Sequence, residues 1–584
     1  MQIHADEEFG AMKRLADKKL AIWQIMLLSF VSTCGMLSIM LLKYGVCFET
    51  NDDRIFSEIF SGVLTGQPNA YGIYINYLLG RLISALFCLT RSVQWYGLFL
   101  ISCFAAIYTG FLIVILQKCR NFYEQIIFWL LGCLLIAANV YIFAVIQFTT
   151  VAGALAVAGY AWLILDKEST RKYVVFGGFE FFAVLLRQDS MLMTQPVGIS
   201  VVIAFLVIRF WEKRQQFGTC LKEVGKCFGT LICVILLADI GNHLLGDYSS
   251  VEWKAYKAYN DQNVELADYY GYPEYEQAKE ILEKYDVTAA EYKALQRYLV
   301  LDNKFEPGFM EEISDLAKAN YEQEHAFSVI RIMKRLITYP KYDECYGYEI
   351  AVLVLYIAVT FLILLSGQIK YLLSVIALGG SKNVVFAYLI YKGRLPHRVV
   401  NVLWFAELLL LAVIGVYVYW HASQKPYNKK IISGIVLGIA CTFLYTANTG
   451  ADIAQNKNDG KIYYAECMKQ LFDYCAESKE GVLLLDDVTT YYTGHVLDTW
   501  HYQNRISLVT GGWFSNSPTM DEAVKTYLDE HGEGLKCITF SEKMNVDNSY
   551  VLEFFEEKYG KKPEMVDTFD IEELGLSYAV YQLY

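Results

Sequence analysis

A short acidic turn follows directly after the first long apolar stretch of the sequence. It runs from Glu49 to Arg54 as ETNDDR, and the apolar stretch covers residues 20–46. A charged group at a membrane surface is costly to keep there without a task. Asp52 and Asp53 could accept a proton from a hydroxyl group, supported by Arg54, so this turn is a candidate for acid–base chemistry.

Two further polar clusters interrupt later apolar stretches. The first is Arg187 with Asp189 in the segment LRQDS, and the second is Arg394, His397 and Arg398 in GRLPHR. The arginine guanidinium group binds phosphate through two parallel hydrogen bonds. If these clusters meet the acidic turn at one end of a helical bundle, together they form a site for a phosphate-bearing substrate.

Each cluster also has a purely structural interpretation. Asp52 and Asp53 could cap a helix that begins near Arg54. Arg187 and Asp189 could form a simple ion pair in a tight turn. The two arginines of the later cluster could anchor lipid headgroups, and its histidine could be an ordinary surface residue.

The composition indicates a membrane protein. Of the 584 residues, 55% are hydrophobic and only 19% are charged, and apolar runs of about 18 residues or more recur. We predict an all-α polytopic bundle with eleven spans, at residues 20–46, 95–117, 124–144, 148–166, 173–186, 190–210, 227–245, 349–366, 371–390, 400–420 and 431–447. No basic stripe is present, so the sequence argues against a nucleic-acid partner.

The distribution of Lys and Arg predicts which loops are cytoplasmic. Basic residues concentrate in the loops that share a side with the N-terminus, which places that side in the cytoplasm of a multi-pass cell-membrane protein. Residues 71–90 are apolar enough to cross, but a crossing there would turn the basic loops outward. We therefore expect them to form one or two helices in the interface.

This topology divides the chain into five parts. They are a cytoplasmic N-terminus (1–19), a transmembrane core (20–245) whose first external loop is 47–94, an external helical insertion (246–345), C-terminal membrane helices (349–447) and an external domain (448–584). The last part alternates strand-like runs, such as 481–485, 537–540 and 578–582, with helical stretches at 461–477 and 520–531. That alternation predicts a small α/β domain.

Other ionisable residues receive structural interpretations. Glu407 lies inside a predicted span, so we expect it to have an internal hydrogen-bonding partner. Asp486 and Asp487 follow a predicted strand without a glycine-rich loop, which favours a solvated turn. The sequence has no P-loop, HExxH or GxSxG in a credible setting, so nucleophilic and zinc-hydrolase architectures have no support.

With these features in place, the chain resembles the integral-membrane glycosyltransferases of the C superfamily, which share the GT-C fold. The resemblance depends on one span followed by an acidic motif that opens a large external loop with interfacial helices. More narrowly, the chain resembles bacterial multi-pass envelope proteins related to O-antigen glucosyltransferases. The stretches that carry this likeness are DDR at 52–54, SGVLTGQP at 61–68, QWYG at 94–97, GRLPHR at 393–398, GGW at 511–513 and SP at 517–518.

The resemblance implies a reaction at the extracytoplasmic side of the membrane. A sugar would move from a polyprenyl-phosphate donor to a glycan or lipid acceptor, with inversion at the anomeric carbon, and Asp52 or Asp53 would be the base. Some superfamily members hold a divalent cation such as Mg²⁺ or Mn²⁺ at this position, so a metal bound by these two aspartates stays open. The donor phosphate would contact four residues: Arg187, Arg394, His397 and Arg398.

Three other functions remain open from the sequence. A polymerase or ligase of lipid-linked glycans would use related chemistry. A lipid or polysaccharide transporter would need ionisable residues along a path through the spans, for which only Asp239, Lys382 and Glu407 qualify. A receptor whose domain at 448–584 binds a ligand would leave the acidic turn without a role.

Overall fold

A computed structural model describes residues 19–166, 170–212, 216–298, 305, 307–324, 328–338, 346–421, 429–478, 481–485, 494–499, 508–510, 512–514, 517–531, 534–544 and 548–584. Residues 1–18, which hold nearly all of the predicted N-terminal segment, and the Asp486–Asp487 pair lie outside these ranges. Within them, nine helices are long and apolar enough to cross a bilayer. The predicted polytopic helical bundle with a small C-terminal sheet is confirmed.

The helices of the bundle follow the predicted spans. They are α1 (Ile22–Tyr44), α4 (Trp95–Lys118), α5 (Phe122–Ala138), α6 (Val140–Ala144), α7 (Phe148–Leu165), α8 (Arg171–Trp211), α9 (Phe217–Ile240), α15 (Tyr346–Leu365), α16 (Leu372–Tyr391), α17 (His397–His421) and α18 (Lys429–Glu477). The predicted span 124–144 corresponds to α5 and the short α6 together. Among the nine described helices that are long enough to cross, α7 and α17 are the most deeply buried.

Helix α8 contains the two spans predicted at 173–186 and 190–210, folded into a hairpin. Its backbone leaves the helical region at Arg187, where φ is −159° and ψ is 104°. Glu223 contacts both Lys172 (3.4 Å) and Arg209 (3.5 Å), although these two residues are far apart in α8. Since the ends of the helix meet at one residue, its two arms are antiparallel and the chain reverses at Arg187.

The first loop holds two short helices, α2 (Asn51–Ser61) and α3 (Tyr77–Leu89). Helix α3 has 13 residues, and at about 1.5 Å per residue it is too short to cross the hydrocarbon core. Its first turn is fixed by Asn76, whose side-chain amide donates to the carbonyl of Ala238 at 2.8 Å. The loop is therefore folded onto the bundle.

The insertion between α9 and α15 has a hydrophobic core of its own. Its helices are α10 (Val251–Glu265), α11 (Tyr275–Lys284), α12 (Ala289–Gln296), α13 (Pro307–Glu324) and α14 (Val329–Thr338). Trp253, Tyr259, Phe309 and Ile313 are buried in this core. The aromatic residues that dominate the segment thus stabilise a compact helical unit.

A five-stranded sheet forms the C-terminal part. Its strands are β3 (Val482–Leu485), β4 (Leu508–Thr510), β5 (Lys536–Phe540), β6 (Pro563–Ile571) and β7 (Leu576–Leu583), in the order β4-β3-β5-β7-β6. Strand β3 is parallel to β4 and β5, whereas β7 is antiparallel to β5 and β6. Helices α19 (Pro518–His531) and α20 (Ser549–Tyr559) complete this part.

Helix α18 differs from the predicted boundary at residue 448. The sequence suggested a span at 431–447 and a separate helix at 461–477, but both belong to one helix of 49 residues. Polarity changes near residue 448 while the helical backbone continues. The last turns of α18, with Met468 and Leu471, pack against Val482 and Tyr578 of the sheet, so α18 links the membrane bundle directly to the C-terminal part.

Candidate functional site

The acidic turn is positioned by the short strand that follows α1. Gly45 ends α1 in the left-handed region at φ 58°, a conformation that glycine adopts without strain. Strand β1 (Cys47–Phe48) then pairs in parallel with β2 (Val145–Ile146). This pairing brings the beginnings of α2 and α7 side by side, because each helix starts a few residues after its strand.

Asp53 points into the protein. It is fully buried, and its Oδ1 accepts hydrogen bonds from the hydroxyl of Tyr96 (2.7 Å) and the backbone N–H of Phe148 (3.1 Å). Burial raises the pKa of Asp53 well above its usual range, and the two hydrogen bonds oppose that shift. Asp53 therefore joins α2 to the first residue of α7 and to α4.

Asp52 faces a different environment. It is partly exposed, and its Oδ1 accepts a hydrogen bond from the indole Nε1–H of Trp513 at 3.1 Å. The carbonyl of Trp513 in turn accepts from the hydroxyl of Tyr256 in the insertion at 2.6 Å. The Trp513 ring packs against Phe56 and Tyr74, with centroids 5.3 and 5.1 Å apart. Asp52 thus lies where the first loop, the insertion and the C-terminal part meet.

Arg54 forms an ion pair within its own helix. Its Nε donates to Glu58 Oε1 at 2.6 Å, one helical turn further along α2, and both side chains are largely buried. This ion pair stabilises α2 itself. The structure therefore gives the supporting residue predicted from the sequence a local contact within its own helix.

The later clusters meet at one cavity of 820 Å³. Four cations line it, and two carboxylates, Asp189 and Glu265, lie among them. The cations are Arg187, Lys392, Arg394 and Arg398. Apolar side chains of α8 and α16 line another part of it, and they are Leu192, Met193, Pro196, Val384, Val385 and Leu389. The cavity thus has a cationic region and an apolar region.

Arg187 occupies the reversal of α8 and is held by flat aromatic rings. Its guanidinium lies over Tyr74 at 4.7 Å and over Phe148 at 5.0 Å from the ring centroids. It also contacts Asp189 at 3.8 Å, the ion pair that the structural interpretation anticipated. The charge of Asp52 acts on Arg187 as well, so the acidic turn and this cavity are electrostatically connected.

The two later arginines differ in their contacts. Arg394 forms an ion pair with Asp268 of the insertion and lies over the ring of Tyr269 at 5.2 Å. Arg398 forms no ion pair with any residue that the structure describes, and its backbone carbonyl accepts from Thr150 Oγ1 at 3.1 Å. The guanidinium of Arg398 is therefore available to an anionic ligand in the cavity.

Glu49 belongs to the site although its role was not foreseen. Burial raises its pKa, and the charges of Lys461, Arg398, Lys457 and His397 oppose that shift. The charge of His397, the first residue of α17, thus acts on Glu49, and His397 is not among the residues that line the cavity. Glu49 lies in the acidic turn, so the sequence shows that it is near the two aspartates. The cations that act on it belong to α17 and α18, about 350 residues or more further along the chain, and their proximity to Glu49 could not be predicted.

The other unforeseen residues are Trp513 and Lys392. Trp513 lies in the quoted GGW motif, whose contact with Asp52 spans 461 positions in the chain. Lys392 is two residues before Arg394. This closeness to the cluster of Arg394, His397 and Arg398 is the sequence feature that could have predicted Lys392 in the cavity. Inside the bundle, Glu407 has the expected internal partners, with Tyr356 hydroxyl at 2.7 Å and Lys382 Nζ at 3.2 Å.

The described residues do not fit a divalent-metal site at the acidic turn. No group of three His, Cys, Asp or Glu side chains in the described ranges could hold an ion. One oxygen of Asp52 and one of Asp53 accept hydrogen bonds from Trp513, Tyr96 and Phe148.

Comparisons with known proteins give structural neighbours only. No family model matches the sequence, and no curated protein matches it. Two crystal structures of ArnT from Cupriavidus metallidurans are similar to this chain. The form bound to undecaprenyl phosphate has 10% identity and a TM-score of 0.37, and the apo form has 11% and 0.39; each comparison covers 94% of this chain and 97% of that one.

Proposed function

We propose that the protein is a membrane glycosyltransferase. It transfers a sugar from a polyprenyl-phosphate donor to a hydroxyl group of an envelope glycan or lipid acceptor, at the extracytoplasmic face. The observation that carries this proposal is the cavity with a cationic and an apolar region beside the partly exposed Asp52. Arg187 of the cavity and Trp513, which hydrogen-bonds Asp52, both contact the ring of Tyr74. A lipid phosphate has the same two-part character.

The cavity suits the donor's two ends. Arg187 and Arg398 would bind the phosphate, and Leu192, Met193 and Val384 would contact the first isoprene units. Because these apolar residues belong to membrane-spanning helices, a lipid could enter from the bilayer without exposing its chain to water. The sugar would then project toward α2.

The chemistry is a single displacement at the anomeric carbon. The acceptor oxygen forms a bond to the anomeric carbon. At the same time the bond between the anomeric carbon and the phosphate oxygen breaks, and its electron pair leaves with the phosphate. Asp52 takes the proton of the acceptor hydroxyl. The cations around the cavity compensate the charge that develops on the leaving phosphate. Displacement from the opposite side inverts the anomeric configuration.

Asp52 suits the role of base better than Asp53. The Asp52 carboxylate is partly exposed and bound by a single indole N–H, so an acceptor can reach it. Asp53 is fully buried, and its raised pKa opposes the ionised form that a base needs. We therefore assign Asp53 a positioning role between α2, α4 and α7.

Turnover by purified protein tests the proposal. A polyprenyl-phosphate sugar and a candidate acceptor are incubated with wild type, Asp52→Asn and Asp247→Asn, and the covalent product is measured. Asp52→Asn is expected to lower kcat by about 10²–10⁴-fold. Asp247 is an exposed carboxylate, and its variant should match wild type.

Two results would contradict the proposal. If wild type relocates the lipid across a vesicle membrane without forming a glycosidic product, the protein is a transporter. If product forms but Asp52→Asn retains wild-type kcat, then Asp52 is not the base.

A further inference from the structure

Helix α14 has a strongly two-sided surface that the proposed reaction does not use. Its sequence is VIRIMKRLIT, and none of its residues is buried. Successive residues of a helix are about 100° apart, so the apolar and basic residues fall on opposite faces. The exposed apolar residues are Val329, Ile330, Met333 and Ile337, and the basic ones are Arg331, Lys334 and Arg335.

The apolar face is unusually open to solvent. Ile330 is 81% exposed and Ile337 is 72% exposed, whereas Ile332 and Leu336 pack against the main core. The helix therefore contacts the protein along one edge only. Exposed apolar side chains in such a stripe indicate a partner that takes up hydrocarbon.

The position of α14 identifies that partner as the membrane. Thr338 precedes Tyr346, the first residue of the span α15, by eight residues, which reach at most about 27 Å. Tyr348, near the start of α15, hydrogen-bonds Asn139 at the beginning of α6, the short helix that leads into β2, so this end of α15 is the one that carries the site. Helix α14 thus lies at the end of the bundle that holds the acidic turn.

The apolar stripe of α14 continues onto the exposed surface of the neighbouring helix α16. Helix α14 contacts α16, a membrane span whose Ile376 is 68% exposed. Because α16 is long and apolar enough to cross a bilayer, the exposed side chain of Ile376 faces lipid there. The apolar stripe of α14 therefore continues a lipid-facing surface, and its cations face outward, where headgroups lie.

We propose that α14 is an interfacial helix that binds anionic phospholipid headgroups of the leaflet at the site end of the bundle. Its apolar stripe inserts below the headgroups, and Arg331, Lys334 and Arg335 contact their phosphates. Because α16 also lines the 820 Å³ cavity, the bound lipids border the flank of that cavity. The inference does not depend on sugar transfer.

Hydrogen exchange in nanodiscs tests this directly. The full chain is placed in discs of phosphatidylcholine, or of phosphatidylcholine with about one third phosphatidylglycerol. The amides of 329–338 are expected to exchange about fivefold more slowly in the anionic discs. The variant Arg331→Gln with Lys334→Gln and Arg335→Gln should lose that difference.

A matched variant controls for net charge. Lys254, Lys279 and Lys318 are exposed lysines of the same insertion, and changing all three to Gln should leave the lipid effect intact. Equal exchange of wild type in both discs would overturn the proposal, and so would loss of the effect in the control variant. Equal protection in detergent without anionic lipid would point to a protein contact, such as a second copy, and would also overturn it.

Discussion

The neighbouring residues Asp52 and Asp53 have opposite environments for a geometric reason. Consecutive residues of a helix are about 100° apart, so the two adjacent carboxylates leave α2 in different directions. Asp53 turns inward to the N–H of Phe148, and Asp52 turns toward Trp513. The sequence placed both in the same acidic motif, but only the helical phase of α2 distinguishes them.

Replacing Asp53 by Asn should change how stability depends on pH. Burial raises the pKa of Asp53, so the folded protein binds this proton more tightly than the unfolded chain does. The stabilisation is complete below the unfolded pKa of about 3.9 and is lost as pH rises through the folded pKa. The Tm of Asp53→Asn relative to wild type should therefore rise by about 1–3 °C between pH 5 and pH 8.

Scanning fluorimetry in detergent measures this difference. The exposed Asp247→Asn variant provides the baseline, since its Tm difference from wild type should not vary with pH. A Tm difference for Asp53→Asn that falls with rising pH would show that Asp53 is stabilised in its ionised form.

Trp513→Phe removes the indole N–H and keeps an aromatic ring. A hydrogen bond to a charged group contributes about 1.5–3 kcal/mol, so kcat should fall by about 10–100-fold while the donor KM stays within about twofold. In an Asp52→Asn background the same change should have little further effect, because the two residues act as a unit. Steady-state kinetics on both backgrounds measures this.

Trp211→Phe is the matched control, because Trp211 is an exposed indole at the end of α8. Additive losses for Trp513→Phe and Asp52→Asn would mean that Trp513 acts independently of the carboxylate. A rise in donor KM alone would place Trp513 in donor binding instead.

At the scale of elements, the reversal of α8 determines where the phosphate would bind. One extended residue, Arg187, separates the two arms, and its guanidinium is sandwiched near Tyr74 and Phe148. Stacking fixes the plane of the group, and the planar fork can then meet two phosphate oxygens. A reversal point thus becomes a fixed cationic contact.

Arg187→Lys keeps the charge and removes the planar fork. The dissociation constant for a polyprenyl phosphate should rise about tenfold, because the ammonium group neither stacks on the rings nor binds two oxygens at once. Binding to the purified protein, by calorimetry or thermophoresis, measures it. Arg81→Lys, at an exposed arginine of α3, should bind like wild type, and equal affinity in the Arg187 variant would remove this residue from the phosphate site.

The sequence predicts the helices and turns that depend only on residues close together in the chain. Each apolar run corresponds to a helix, and the polar segment at Arg187 marks the reversal. The continuity of α18 was missed because polarity, from which the boundary was inferred, does not report backbone conformation. The contact of Trp513 with Asp52 was missed because it depends on how the C-terminal part docks on the bundle, and no local pattern encodes that.

At the scale of the whole molecule, the C-terminal part is attached to the bundle at β1. The N–H of Val496 donates to the carbonyl of Val46 at 2.8 Å, and Cys47 forms an antiparallel bridge with His495. Together with Trp513 on Asp52, these contacts place residues of the C-terminal part on both sides of the acidic turn. The site is therefore complete only when this part is docked.

A methyl group at Gly97 tests whether the site depends on docking of the C-terminal part. A Cβ there would lie 2.2 Å from the carbonyl oxygen of Val496, so Gly97→Ala must displace the docked backbone, at a cost of about 1–3 kcal/mol. Amides of 494–499 and 512–514 should exchange faster, and kcat should fall by about tenfold, because Trp513 no longer holds Asp52. Gly178→Ala is the matched control in another membrane helix, since a Cβ there would meet no atom within 4 Å. If the two variants show the same amide exchange and the same kcat, docking of the C-terminal part does not complete the site. If Gly97→Ala speeds the exchange of residues 494–499 but has the kcat of wild type, the bundle alone carries the reaction.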